Sequence, residues 1–220
     1  MEDQFLTLSS PSEGYYMERG SKFLAYAYPV ETEDDVQHFL QSVKKEHPKA
    51  RHYCTAFRLF PDGSLERSND DGEPSGSAGR PILGQLIKNK LTNVCVVVVR
   101  YFGGTKLGIP GLIEAYKTST ANAINTAIIV ERNVLTKVLI TLSYESFPSF
   151  LNYFKQHDIP VIEESYGDRA SFIICLPKST AKQNLIEILH QLSQMDFEDL
   201  EHYMSYLGIE VEVLKEDIII

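Results

Sequence analysis

The chain of 220 residues has no tryptophan, four methionines and three cysteines. Cys54, Cys95 and Cys175 are odd in number and widely spaced. That argues against a disulfide framework and for a reducing, cytoplasmic setting. No apolar run approaches the roughly 20 residues that span a bilayer, so no membrane partner is expected. The opening Met-Glu-Asp-Gln-Phe lacks the basic segment and apolar core of a secretion signal. Repeats and low-complexity segments are absent as well. Positive charge is in deficit: 21 Lys and Arg face 30 Asp and Glu, a net −9. An acidic protein of this kind is a poor non-specific coat for nucleic acid.

What is present suffices for a real core. The chain is 43% hydrophobic, and its length allows one large domain or two small ones. The charge is unevenly spread. Residues 1–130 hold 14 basic and 15 acidic side chains, whereas residues 131–220 hold 7 and 15. Within residues 44–117 the balance reverses to 12 basic and 7 acidic. A local basic site inside an acidic protein is one reading; a solvated face without a ligand is the other.

Two glycine-rich segments lie in that basic stretch. One is Arg100-Tyr-Phe-Gly-Gly-Thr-Lys-Leu-Gly-Ile-Pro-Gly111, after the apolar run Val94–Val99. The other is Asp70-Asp-Gly-Glu-Pro-Ser-Gly-Ser-Ala-Gly-Arg-Pro81. Each is followed by a helical pattern that Pro110 or Pro81 is suited to start, since the first helical N–H is unbonded anyway. A helix N-terminus offers free N–H groups and a positive dipole end to an anion. Neither segment fits the phosphate-loop or dinucleotide fingerprint. Tight turns alone are the plainer explanation of the glycines.

Periodicity divides the rest. Residues 22–30 read as a strand. Thr32 caps a helix whose stripe is Val36, Phe39, Leu40 and Val43, with Asp35 as capping-box partner. Residues 52–59 read as a strand, Pro61–Ser64 as a turn and Leu65 as the start of a return strand. A helix near 81–90, a strand over 94–100 and a helix near 110–127 follow. The last is rich in small residues such as Ala115, Ser119 and Ala123, which suit close packing on a sheet. After residues 129–134 the pattern restarts. It gives a strand over 134–142, a helix over 147–157, strands over 161–166 and 170–176 joined at Gly167-Asp168, a helix over 180–194 and a last strand within 204–213. The order βαββαβ is the ferredoxin-like pattern. The expected fold class is α+β, with domains at 1–130 and 134–214. The apolar tail Asp-Ile-Ile-Ile220 has no place in that scheme.

The two glycine segments, with Gly20-Ser-Lys-Phe23 and His52-Tyr-Cys54, resemble the signatures of the IMPACT/YigZ family. The resemblance spans roughly residues 20–120. It implies an N-terminal domain like the second domain of ribosomal small-subunit protein five. It also implies a C-terminal domain like domain V of elongation factor G. Eukaryotic members act in translational control, with an extra domain not seen here.

The candidate anion or nucleic-acid contacts are Arg80, Lys88, Lys90, Arg100, Tyr101, Phe102, Gly103, Gly104 and Lys106. Arg binds phosphate through two donors and Lys as a point charge, and Tyr101 or Phe102 can stack on a base. Arg100 can instead pair internally with Asp70 or Asp71, and Phe102 can be core. A second cluster, His52, Cys54, Asp70, Asp71 and Glu73, forms a possible pocket. His52 and Cys54 share a strand face, but neighbours at i and i+2 are usually too far apart to act as nucleophile and base. No zinc or EF-hand spacing is present, so no metal, cofactor or catalytic residue is assigned. The favoured function is a non-enzymatic regulator in translation that binds RNA or the ribosome. The alternatives are an enzyme on a phosphate-bearing substrate and a regulator that binds protein through its acidic C-terminal domain.

Overall fold

The computed structural model describes residues 3–219. It is a mixed α/β structure of two compact units, divided between Arg132 and Asn133. The N-terminal unit contains β1 (Gln4–Leu8), β2 (Ser12–Glu18), β3 (Ser21–Pro29), α1 (Glu33–Glu46), β4 (His52–Leu59), β5 (Leu65–Asn69), α2 (Gly79–Lys88), β6 (Val94–Tyr101) and α3 (Gly108–Thr126). Its main sheet has the order β2-β3-β6-β4-β5, and every neighbouring pair is antiparallel.

The uninterrupted valine run of β6 follows from its central place. Val94, Val96 and Val98 meet α2 and α3 on one face, together with Phe23, Ala25, Cys54 and Ala56. Cys95, Val97 and Val99 meet α1 on the other, together with Val36, Val43 and Phe57. A strand covered on both faces has no solvent side, so its apolar residues need not alternate. Each fully buried valine contributes about 1.5–3 kcal/mol relative to exposure. Burial also pushes the Cys95 thiol up to about 12, so that cysteine is core rather than chemistry.

The small residues of α3 serve β2. A Cβ on Gly14 would overlap the backbone of Ala123 and Ser119, so strand and helix touch backbone to backbone. At the same seam the carbonyls of Glu13 and Tyr15 accept hydrogen bonds from Thr126 Oγ1 (2.8 Å) and Asn122 Nδ2 (2.9 Å). The expected capping box of α1 is present, with Thr32 Oγ1 accepting the Asp35 N–H and Asp35 returning to the Thr32 N–H. Both α2 and α3 begin two residues before the proline expected to open them. Pro81 and Pro110 are third in their helices, still within the first turn, where an N–H has no partner to lose.

The C-terminal unit begins in β7 (Ile129–Leu142) and continues with α4 (Phe147–Gln156), β8 (Val161–Tyr166), β9 (Ala170–Pro177), α5 (Ala181–Ser193), α6 (Leu200–Leu207) and β10 (Glu210–Ile219). The strands form an antiparallel sheet in the order β10-β7-β9-β8. Val138, Ile140, Leu142, Phe172 and Ile174 of its covered face pack against Phe150, Phe154, Leu185 and Leu189 of the helices. The last strand differs from the expectation of 204–213. Residues 200–207 are an additional helix, capped by Asp199, whose side chain accepts the His202 N–H. β10 starts after it and runs past residue 214. That placement accounts for the apolar tail: Ile218 and Ile219 pair with Leu135 and Val134. Ile220 lies outside the described residues.

Candidate functional site

Register places three side chains in a row across the sheet. Phe23 of β3 and His52 of β4 are both partners of Arg100 on β6. All three point to the face covered by α2 and α3, at the end of the sheet where β6 runs into its glycine segment. The Arg100 guanidinium lies over the Phe23 ring at 5.5 Å and the Phe102 ring at 5.6 Å. Its Nη1 donates to Glu73 Oε1 at 2.6 Å. Glu73 comes from the other glycine segment, so this buried ion pair joins the two loops. Tyr116 of α3 donates its hydroxyl to the same oxygen at 2.9 Å. Cys54 Sγ stands 3.2 Å from that hydroxyl and 3.0 Å from the Asp70 carbonyl.

The other two carboxylates are also turned inward. Asp70 accepts the N–H groups of Gly76 (2.8 Å), Ala78 (3.0 Å) and Gly79 (2.8 Å). It thereby caps α2, whose own N-cap Ala78 has no side chain for the task. Burial pushes the Asp70 carboxyl up, but the three N–H bonds and the charge of Arg80 outweigh it and hold it below the ordinary value. The anion expected at the start of α2 is thus part of the chain itself. Asp71 has a left-handed backbone, φ 41°, and accepts the Tyr53 N–H at 2.7 Å. Its carbonyl lies 2.8 Å from His52 Nδ1. A carbonyl only accepts, so that ring nitrogen carries the proton.

This geometry removes the thiol from chemistry. Burial pushes Cys54 up, and the neighbouring carboxylates add to the effect. Its hydrogen-bond contacts are Tyr116 and a carbonyl, not His52. Tyr116 is raised by burial and then by Cys54 and Glu73. Among the described residues no three His, Cys, Asp or Glu side chains are grouped to hold a metal ion. No described helix is long and apolar enough to cross a membrane.

Several candidate contacts stand elsewhere than expected. Arg100 is buried and committed to Glu73 rather than presented to an anion. Its internal partner is neither Asp70 nor Asp71. Tyr101 follows it on the strand and so points to the opposite face, where its hydroxyl meets His47 Nδ1 at 3.0 Å. Lys88 ends α2, about 14 Å along the helix axis from Gly79. Lys90 lies beyond it, near the start of β6 rather than its end. Phe102, 58% exposed, is not core. Gly103, Gly104, Arg80 and Lys106 do stand at the loop end, the last two exposed.

Sequence reasoning missed the cations that share this end. Arg19 and Lys22 flank the β2–β3 turn, which packs on Gly103: a Cβ there would overlap Gly20 and Ser21, and Ser21 Oγ accepts the Gly103 N–H. Lys49 and Arg51 lie in the connection between α1 and β4. All four are exposed. The signal was the basic run Lys44-Lys-Glu-His-Pro-Lys-Ala-Arg51, just before a strand whose first residue pairs with Arg100.

The model of the Impact N-terminal domain matches residues 19–124, from the β2–β3 turn into α3. The IMPACT family member YvyE of Bacillus subtilis (strain 168) is 31% identical over 216 residues, covering 98% of this chain and 99% of its own. The chain belongs to the IMPACT family. The family member YigZ of Escherichia coli (strain K12) is 32% identical over 159 residues, 71% of this chain and 78% of that one. A crystal structure described as that of a hypothetical protein superposes with a TM-score of 0.67 at 26% identity, covering 98% of this chain and 100% of that one. The matched family region contains both glycine segments and the Arg100–Glu73 pair between them.

Proposed function

We propose that this IMPACT-family chain is a non-enzymatic regulator in translation, holding the phosphate backbone of RNA, free or in the ribosome, at the loop end of its N-terminal unit. One observation carries the reading. Four connections meet at that end, and most of their exposed charges are basic, with Glu46 at the end of α1 and the partly buried Glu18 as the acidic exceptions. The carboxylates of Asp70, Asp71 and Glu73 are bound to the protein's own donors, while Lys22, Lys49, Arg51 and Lys106 are exposed and make no ion pair among the described residues. Arg80 is exposed there too, and Arg19 has only a loose 3.7 Å contact with Glu18. Such an end is electropositive within an acidic protein, which favours a local phosphate contact over a general one. The fold that the family resemblance implies, with a ribosomal-protein-like N-terminal unit and a C-terminal unit like domain V of elongation factor G, belongs to the same reading. An enzymatic role is the weaker reading, because Cys54 has no base in contact and His52 is held by a main-chain carbonyl.

The test is a fluorescence-anisotropy titration of the full chain with RNA at two or more salt concentrations. Affinity should fall steeply with salt. Lys49→Ala, Arg51→Ala or Lys106→Ala should each flatten the salt slope by roughly 0.7–0.9. Lys88→Ala and Lys90→Ala, at the far end of α2, should leave it unchanged. No binding at low salt, or equal effects from both groups, would refute the reading.

A further inference from the structure

We propose that the loop end binds RNA as a single strand, with one unpaired base stacked on the outer face of Phe102. The inference rests on the phosphate-binding reading above and adds what the site selects. A stacking residue has to be aromatic, exposed and held still. Phe102 is 58% exposed, in the one connection that follows the central strand of the sheet. It also has a fixed inner partner. The Arg100 guanidinium lies over both the Phe23 ring and the Phe102 ring, within 5.6 Å of each centroid. Glu73 anchors that guanidinium from the side, and Arg100 is itself 7% exposed. Cation–π contact of this kind is worth more when the cation is desolvated. The contact restrains the Phe102 ring before binding, which reduces the ordering entropy still to be lost.

The surroundings leave the outer face open. Gly103 and Gly104 follow Phe102 and have no side chains to cover it; a Cβ on Gly104 would meet nothing within 4 Å. Gly103 is fixed by Ser21 and the β2–β3 turn, so the backbone after Phe102 does not swing away. Lys106 and Lys22 are exposed in the two connections that meet at Gly103 and can take the flanking phosphates. Tyr101, the other aromatic of the segment, is excluded as a platform, because its hydroxyl is held by His47 on the opposite face. A duplex has no free base face to offer, so a site built on one exposed ring discriminates by strandedness rather than by sequence.

The experiment compares Phe102→Leu, Phe102→Trp and the unaltered full chain on a 12-nucleotide single-stranded RNA and on a duplex of the same sequence. Anisotropy gives the affinity. Quenching of 2-aminopurine placed in the single strand reports stacking, and thermal melts check that both variants fold. The unaltered chain should prefer the single strand. Phe102→Leu should weaken single-strand binding about 5- to 150-fold, abolish the quenching and leave duplex binding within twofold. Phe102→Trp should retain the preference. Equal loss on both RNAs, or no loss on either, would overturn the base-stacking proposal while leaving the phosphate site in place. Failure of the unaltered chain to bind either RNA at low salt would overturn both.

Discussion

Gly103 lies against Gly20 so closely that a Cβ on Gly103 would overlap the Gly20 carbonyl carbon. The contact is backbone on backbone, and no side-chain movement can relieve it. Gly103→Ala should therefore cost about 1–3 kcal/mol or more, read as a lowered midpoint in urea unfolding. Gly104→Ala is the comparison. Its space is empty and only its left-handed φ of 88° is unfavourable, so the loss should be about 1–2 kcal/mol. Equal midpoints for the Gly103 variant and the parent protein would contradict the packing.

The Arg100–Glu73 pair should show the asymmetry of buried charges. Glu73→Gln or Arg100→Met alone leaves an uncompensated charge in the core and should cost about 3–5 kcal/mol. The double variant removes both charges and should be more stable than either single one. A double-mutant cycle by chemical denaturation measures the coupling, and simple additivity of the two losses would show that the ion pair is not a unit.

Asp70 links stability to pH. Its folded value is depressed below the ordinary 3.8. A depressed carboxyl contributes stability that is complete above its unfolded value and is lost as pH falls through its folded one. Stability should thus decline below about pH 4 partly through this residue, as α2 loses its cap. Asp70→Asn should lower stability at neutral pH by about 1–2 kcal/mol and flatten the acid limb of a melting-temperature profile. An unchanged acid limb would assign that limb to other carboxylates.

Gly14→Ala should be worse than an ordinary strand substitution, because the new methyl meets the main chain of α3 at Ala123. A loss of about 1–3 kcal/mol is expected. Ala123→Gly should not rescue it, since the obstacle is backbone. Full rescue would mean that the side chain of Ala123, not its peptide, limits the approach.

Much of the architecture was legible because local patterns and tertiary demands agree. The stripe Val36, Phe39, Leu40, Val43 and the Thr32 cap specify α1 without reference to anything else. β1, β2 and α6 were not legible. The polar ends and central Gly14 of Ser12–Glu18 make sense only when α3 is known to lie against them. Met204 seemed to open a strand because the Asp199 cap of α6 draws its meaning from the structure. At the candidate site, sequence showed that the two glycine segments carry the distinctive residues. It did not show which charges face outward. Asp70, Asp71 and Glu73 look like ligands in one dimension and are internal fixtures in three. Lys49 and Arg51, far in sequence from the Arg100–Gly111 segment, join its neighbourhood through the pairing of His52 with Arg100.

The seam between β2 and α3 has a consequence for assembly. β2 is the last strand of its sheet, and an open last strand invites another chain to add itself by main-chain pairing. Here two carbonyls of that strand are already engaged by Thr126 and Asn122, and the helix backbone occupies the space beside Gly14. Recruitment by strand addition is therefore closed at this margin. The seam closes one margin only: the other margin of the sheet is β5, which is mostly exposed, so main-chain pairing with an added strand is confined to that side.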